Sequence, residues 1–172
     1  MPSRFLTIPF ERLFSAAGHL TFGAYGIGVS AGDNVRTGFY TEAFRTPDDM
    51  DRSRPARLWY RIFNPTYHVV AQSEVYLRIG MTRSPVDVTP TNTLGYDFIT
   101  IPENWPTGIP MQLEMLSDNS AFIQAKELGL NDLCQFRVER YGDHEDDTWP
   151  FVLGFASSVV LEYSQNCRYG CL

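Results

Sequence analysis

Basic residues are the first shortage in this chain. Across 172 residues, 14 Lys and Arg face 20 Asp and Glu, a formal charge of -6, and the cations are dispersed. The first dozen residues carry only Arg4 and Arg12 as cations, partly offset by Glu11. With no basic arm to neutralise phosphates, direct packaging of nucleic acid is excluded. Long apolar runs are missing as well. The opening MPSRFLTIPFERLF is broken by Thr7, Pro9 and Glu11, so it lacks the continuous core of a signal peptide. No segment approaches the roughly 20 apolar residues of a membrane helix. These absences predict a soluble product made in the cytoplasm of its cell.

Cysteine is scarce and odd in number, with three in all. Cys167 and Cys171 stand four apart in NCRYGC at the end of the chain, with neither a second pair nor a nearby His to complete a zinc site. They are candidates for a disulfide or a subunit contact, and the tail from Gln165 to Leu172 is expected to help hold a homodimer. The alternative is a frayed tail with reduced thiols. Cys134 falls on the inward side of a strand and reads as a small core residue.

Helical spacing is almost absent, and strand spacing takes its place. In LCQFRVERYGDHEDDTWPFVLGFASSVVLEY, Leu133 to Tyr163, Cys134, Phe136 and Val138 alternate with Gln135, Arg137 and Glu139. Further on, Ser157, Val159, Leu161 and Tyr163 alternate with Ser158, Val160 and Glu162. A period of two is what a half-buried strand requires. These runs read as the closing pair of an all-β sandwich, joined through an acidic turn.

Further strands are expected at about Arg4 to Ile8, His19 to Val29, Val35 to Phe44, Ala56 to Phe63, Val69 to Met81, Leu94 to Ile101 and Met111 to Leu116. Turn formers separate them, as in SAGDN, TPDDMDRSRP and IPENWPTGIP. Prolines at 85, 90, 102, 106 and 110 cannot donate ladder hydrogen bonds, so the stretch from Met81 to Met111 reads as loop around one short strand. Ser120 to Leu130 has helix-forming composition yet also alternates, and strand is preferred. The expected fold is one domain over residues 1–172, an all-β single jelly-roll β-sandwich of two antiparallel sheets. Its core should hold Phe136, Val138, Val159, Leu161, Val75, Leu77 and Ile79.

Catalytic and cofactor motifs fail on context. Gly26-Ile27-Gly28-Val29-Ser30-Ala31 spells a dinucleotide fingerprint, but a turn and another strand-like run follow where a helix should start. The acidic turn Asp143 to Asp147 lacks calcium-loop spacing and reads as a solvated hairpin; Asp48, Asp49 and Asp51 read as charge in an exposed loop. His19, His68 and His144 lie far apart with no obvious nucleophile. No enzyme activity, cofactor or metal is expected. Of the tryptophans, Trp59 beside Leu58, Tyr60 and Ile62 reads as core. Trp105 and Trp149 each precede a proline in a loop and read as contact-surface aromatics, for glycan or for a neighbouring subunit.

The residues Phe136-Arg137-Val138, Arg140, Gly142-Asp143, Asp147-Thr148 and Leu161-Glu162-Tyr163 together resemble a pattern of phage virion proteins. Such proteins are jelly-roll sandwiches of capsids, head fibres and baseplates. A single jelly roll of 19.6 kDa that starts at Met1 and has no basic arm is similar to the small major capsid proteins of membrane-containing icosahedral phages, the sphaerolipovirus-like group. The resemblance implies a capsid subunit that associates with itself and a partner capsid protein, near an inner membrane, and resides in the virion. A carbohydrate-binding or receptor-binding β-sandwich module, with glycan as partner, is the alternative.

Overall fold

Alternating side chains can bury one face of an extended chain and leave the other outside, and this is how the chain is used throughout the computed structural model. The structure describes residues 3–15, 21–23, 26–28, 36–54, 56–64, 72–84, 91–107, 109–116, 132–156 and 158–166. Among them there is no helix. The strands are β1 (Ser3–Ser15), β2 (Thr21–Gly23), β3 (Gly26–Gly28), β4 (Arg36–Thr41), β5 (Phe44–Arg45), β6 (Arg57–Phe63), β7 (Ser73–Ser84), β8 (Thr91–Ile101), β9 (Met111–Leu116), β10 (Leu133–Tyr141), β11 (Gly154–Phe155) and β12 (Ser158–Ser164).

Strand β1 belongs to two antiparallel sheets. Its first half pairs with β12, from Ser3↔Ser164 to Pro9↔Ser158, and after an irregularity between Phe10 and Arg12 its second half pairs with β4. The first sheet continues from β12 to β6, which also carries β9 and the short β11. The second runs β1, β4, β10, β7, β8, with β5 beside β10. The result is the expected all-β, jelly-roll-like sandwich of antiparallel sheets. Strands β2 and β3 form a separate hairpin, so the first three residues of the fingerprint-like run are a strand; residues 29–35 lie outside those described.

One hydrophobic core lies between the inward faces. It joins Leu58, Tyr60, Ile62, Val159 and Leu161 of the first sheet to Val75, Leu77, Ile79, Phe136 and Val138 of the second. All seven residues expected in the core are buried, as is Cys134. Each such aliphatic or aromatic side chain contributes about 1.5–3 kcal/mol by leaving water.

Two expectations about connectivity are corrected. Strands β10 and β12 do not pair: β4, β5 and β7 occupy the edges of β10, whereas β12 sits between β1 and β6. The acidic segment between them therefore crosses from one sheet to the other. Periodicity identifies which face of a strand is buried but carries no record of its neighbours. The stretch from Met81 to Met111 is also more regular than its prolines imply, since β8 pairs with β7 continuously from Thr91↔Arg83 to Ile101↔Ser73. Its prolines lie outside the ladder. Ser120 to Leu130 and the tail with Cys167 and Cys171 lie outside the described residues.

The crossing segment is fastened by Arg140. This side chain points inward at the end of β10, fully buried, and its Nε and Nη2 donate to the two carboxylate oxygens of Asp147 at 2.6 and 2.5 Å. The same guanidinium donates to the carbonyls of Trp149 and Phe151. Asp147 also accepts from the Tyr76 amide, while Thr148 Oγ1 accepts from the Glu74 amide at 2.8 Å. Residues 147–149 thus take over hydrogen-bonding positions along β7 after β10 has ended. Asp147 is therefore a structural partner of Arg140 rather than part of a solvated hairpin.

The loop of Asp48, Asp49 and Asp51 is likewise tied down. The Asp51 amide donates to the Ser164 carbonyl, the Asn166 amide donates to the Asp49 carbonyl, and Tyr163 Oη donates to Asp49 Oδ1 at 3.1 Å. Burial, then the bond to the Asp49 carboxylate, pushes the Tyr163 phenol up to about 12 from its ordinary 10.0. The raised value means that the contact stabilises the fold below pH 10 and is lost as pH rises from 10 to 12. Ultraviolet titration of tyrosine ionisation, alongside thermal melting, should show this alkaline step in the parent chain and its absence in Tyr163→Phe.

Candidate functional site

The outward face of the first sheet is assembled from the alternate residues that the core leaves over. Phe5 and Thr7 of β1, Ser158, Val160 and Glu162 of β12, Trp59 and Arg61 of β6, and Gln112 of β9 line a shallow groove of about 530 Å³. The ladders set them side by side, with Thr7, Val160 and Trp59 in one cross-strand row and Phe5 and Glu162 in the next. Trp59 Nε1 donates to Glu162 Oε2 at 2.8 Å, and Arg61 Nε donates to Gln112 Oε1 at 3.3 Å. Phe5 is 65% exposed. The indole is held in orientation by its hydrogen bond while one aromatic ring stands open to solvent.

This arrangement reverses the reading of the tryptophans. Trp59 is not core: Leu58, Tyr60 and Ile62 are buried together on the opposite face of the strand, so the pleat turns Trp59 and Arg61 outward. Trp105 and Trp149, expected on a contact surface, are only 5% and 1% exposed. Each indole finds a carbonyl within its own loop, Trp105 Nε1 donating to Ile109 and Trp149 Nε1 to Val152, which allows an amphipathic ring to be buried. Asn104, at φ 61°, makes the left-handed turn immediately before Trp105. The two rings lie 6.3 Å apart as part of the core.

The second sheet presents a different outward face. Glu139 is buried there between Arg78, at 3.4 Å, and Arg137, at 2.7 Å. Burial opposes the charge on Arg137, but its hydrogen bond and attraction to Glu139, with Tyr40 adding, outweigh this and raise its pKa above the ordinary arginine value. At the edge of this face Tyr76 stacks on His144 with centroids 3.7 Å apart, and Phe98 packs against both. His144 therefore has an aromatic-packing role; His19 and His68 lie outside the described residues. No group of three or more His, Cys, Asp or Glu among the described residues is placed to hold a metal ion.

No protein-family model matches the chain, and no curated protein does. Among solved structures, the chain is similar to a family 11 carbohydrate-binding module from Clostridium thermocellum in complex with a β-1,3-1,4-mixed-linked tetrasaccharide. The identity is 13%, the match covers 94% of this chain and 98% of that one, and the TM-score is 0.40. It is also similar to TmCBM61 in complex with β-1,4-galactotriose, at 7% identity, 95% and 89% coverage and a TM-score of 0.34. Both neighbours are carbohydrate-binding modules, and the capsid function expected from the sequence, which finds no counterpart in them, is corrected. The buried Arg140 and Asp147 account for two members of the virion-like pattern as determinants of folding.

Proposed function

We propose that this chain is a carbohydrate-binding β-sandwich module that receives a glycan in the groove on the outer face of its first sheet. The observation carrying this reading is the combination of Trp59, braced by Glu162, with exposed Phe5 and a border of hydroxyl, amide and guanidinium groups. A pyranose ring has apolar C–H faces and an equator of hydroxyls that both donate and accept. Aromatic rings meet the faces, and Thr7, Ser158, Gln112 and Arg61 supply complementary polar groups. The volume lies within the roughly 300–1,000 Å³ of small-ligand sites. Glu162, engaged by the indole, acts as a brace for the ring.

Trp59 is the half-buried indole and the other two are in the core, so a glycan entering the groove should change the intrinsic fluorescence through Trp59 alone. Titration with a panel of oligosaccharides is expected to find a ligand that shifts the emission to shorter wavelength. Trp59→Ala should weaken its calorimetric affinity by about 30-fold, equivalent to roughly 2 kcal/mol. Failure of every glycan in the panel, or an unchanged affinity in Trp59→Ala, would remove the groove from consideration.

A further inference from the structure

Glu162 forms a wall of two adjoining hollows. Beyond the aromatic groove lies a second one of about 340 Å³, lined by Ser3, Arg54, Arg57, Glu162, Tyr163 and Ser164. Arg57 stands directly opposite Glu162 across β6 and β12, and Phe5 stands opposite Glu162 on its other side. The second hollow is thus one cross-strand position from the first. Their chemistry differs in balance: the groove sets aromatic and neutral polar groups beside Arg61 and Glu162, whereas the second hollow sets two guanidiniums, two hydroxymethyl side chains and Tyr163 beside the Glu162 carboxylate. Glu162 directs Oε2 to Trp59, on the aromatic side. Arg54 has its Nε 3.5 Å from Asp51 Oδ2 and keeps about half its side chain in solvent, while Asp51 Oδ1 accepts from Ser53.

We propose that the glycan recognised here is acidic, with a carboxylate or sulfate on a sugar next to the one packed against Trp59. The inference rests on the glycan reading above and adds the charge of the ligand to it. Guanidinium groups present planar forks of N–H donors that match the paired oxygens of a carboxylate or sulfate, and such charge-assisted bonds are roughly twice as strong as neutral ones. Ser3 and Ser164 supply hydroxyls for the remaining oxygens. Since the whole chain carries a charge of -6, the preference has to arise locally, from Arg54 and Arg57, and not from the overall field.

The experiment uses two matched pairs in calorimetry: tetragalacturonate with its methyl ester, and a sulfated galactan tetrasaccharide with its desulfated form. The charged member of at least one pair is expected to bind roughly tenfold more tightly, and the responding pair identifies the anion as carboxylate or sulfate. Arg54→Gln/Arg57→Gln should abolish this preference, so that the charged and neutral members of the pair bind alike. Arg57→Lys, which keeps the charge but loses the fork, should retain part of it and serves if the double variant does not fold. Equal binding of charged and neutral members in both pairs overturns the acidic ligand and leaves the glycan module standing. A preference that survives the double variant also overturns it, as does binding of none of the four, which leaves the glycan reading to the oligosaccharide panel above.

Discussion

Arg140→Met is expected to lower the unfolding free energy by about 3–5 kcal/mol, the scale for breaking a buried ion pair by removing one partner. For a chain of this size that corresponds to a fall of roughly 6–20 °C in the melting midpoint. The loss is large because the Asp147 carboxylate remains buried without its guanidinium, and the carbonyls of Trp149 and Phe151 lose the same donor. Arg140→Met/Asp147→Leu removes the stranded charge and should be less damaging than Arg140→Met alone. It should not reach the parent, since the two carbonyls still lack their donor. Urea unfolding of the three proteins at a common slope measures the comparison. A single variant as stable as the parent would show that Arg140 does not fasten the crossing.

Trp149→Ala is expected to cost about 3–5 kcal/mol, as large core truncations do. Trp149 is enclosed by Trp105 and Phe151, with ring centroids 6.3 and 5.3 Å away, so truncation leaves a cavity. Trp59→Ala should cost less than about 1.5 kcal/mol, because the ring is only half buried and water can occupy its place. Denaturation of both variants therefore separates the two kinds of tryptophan by stability, just as glycan titration separates them by binding. Equal losses would contradict the division between groove and core.

The alternation of Cys134, Phe136 and Val138, and of Val159, Leu161 and Tyr163, was sufficient to identify their strands and buried faces. It could not show that these strands occupy different sheets, because pairing depends on which edges other strands leave open. The same period contained the information that Trp59 faces outward, since Leu58, Tyr60 and Ile62 take the inward positions. Local hydrophobicity obscured it. For Trp105 and Trp149 the neighbouring prolines suggested exposure, yet carbonyls three and four residues away satisfy the indoles and permit burial. The pairing of Arg140 with Asp147 was visible as two letters of a pattern, but their shared burial depends on the path of the crossing segment. The groove itself combines residues from four strands, with Phe5 and Glu162 paired across almost the whole chain.

That last pairing has a consequence for the time course of biosynthesis. Strand β1 leaves the ribosome long before the partner of its first half, β12, with Ser3 joined to Ser164. At about 5–20 residues per second, β1 has to wait on the order of ten seconds for that partner. Its second half can meet β4 much sooner, so the second sheet can begin to form while the first still lacks β12. During this interval an open strand edge is available to other chains, and the nascent protein is most vulnerable to mispairing before β12 closes it.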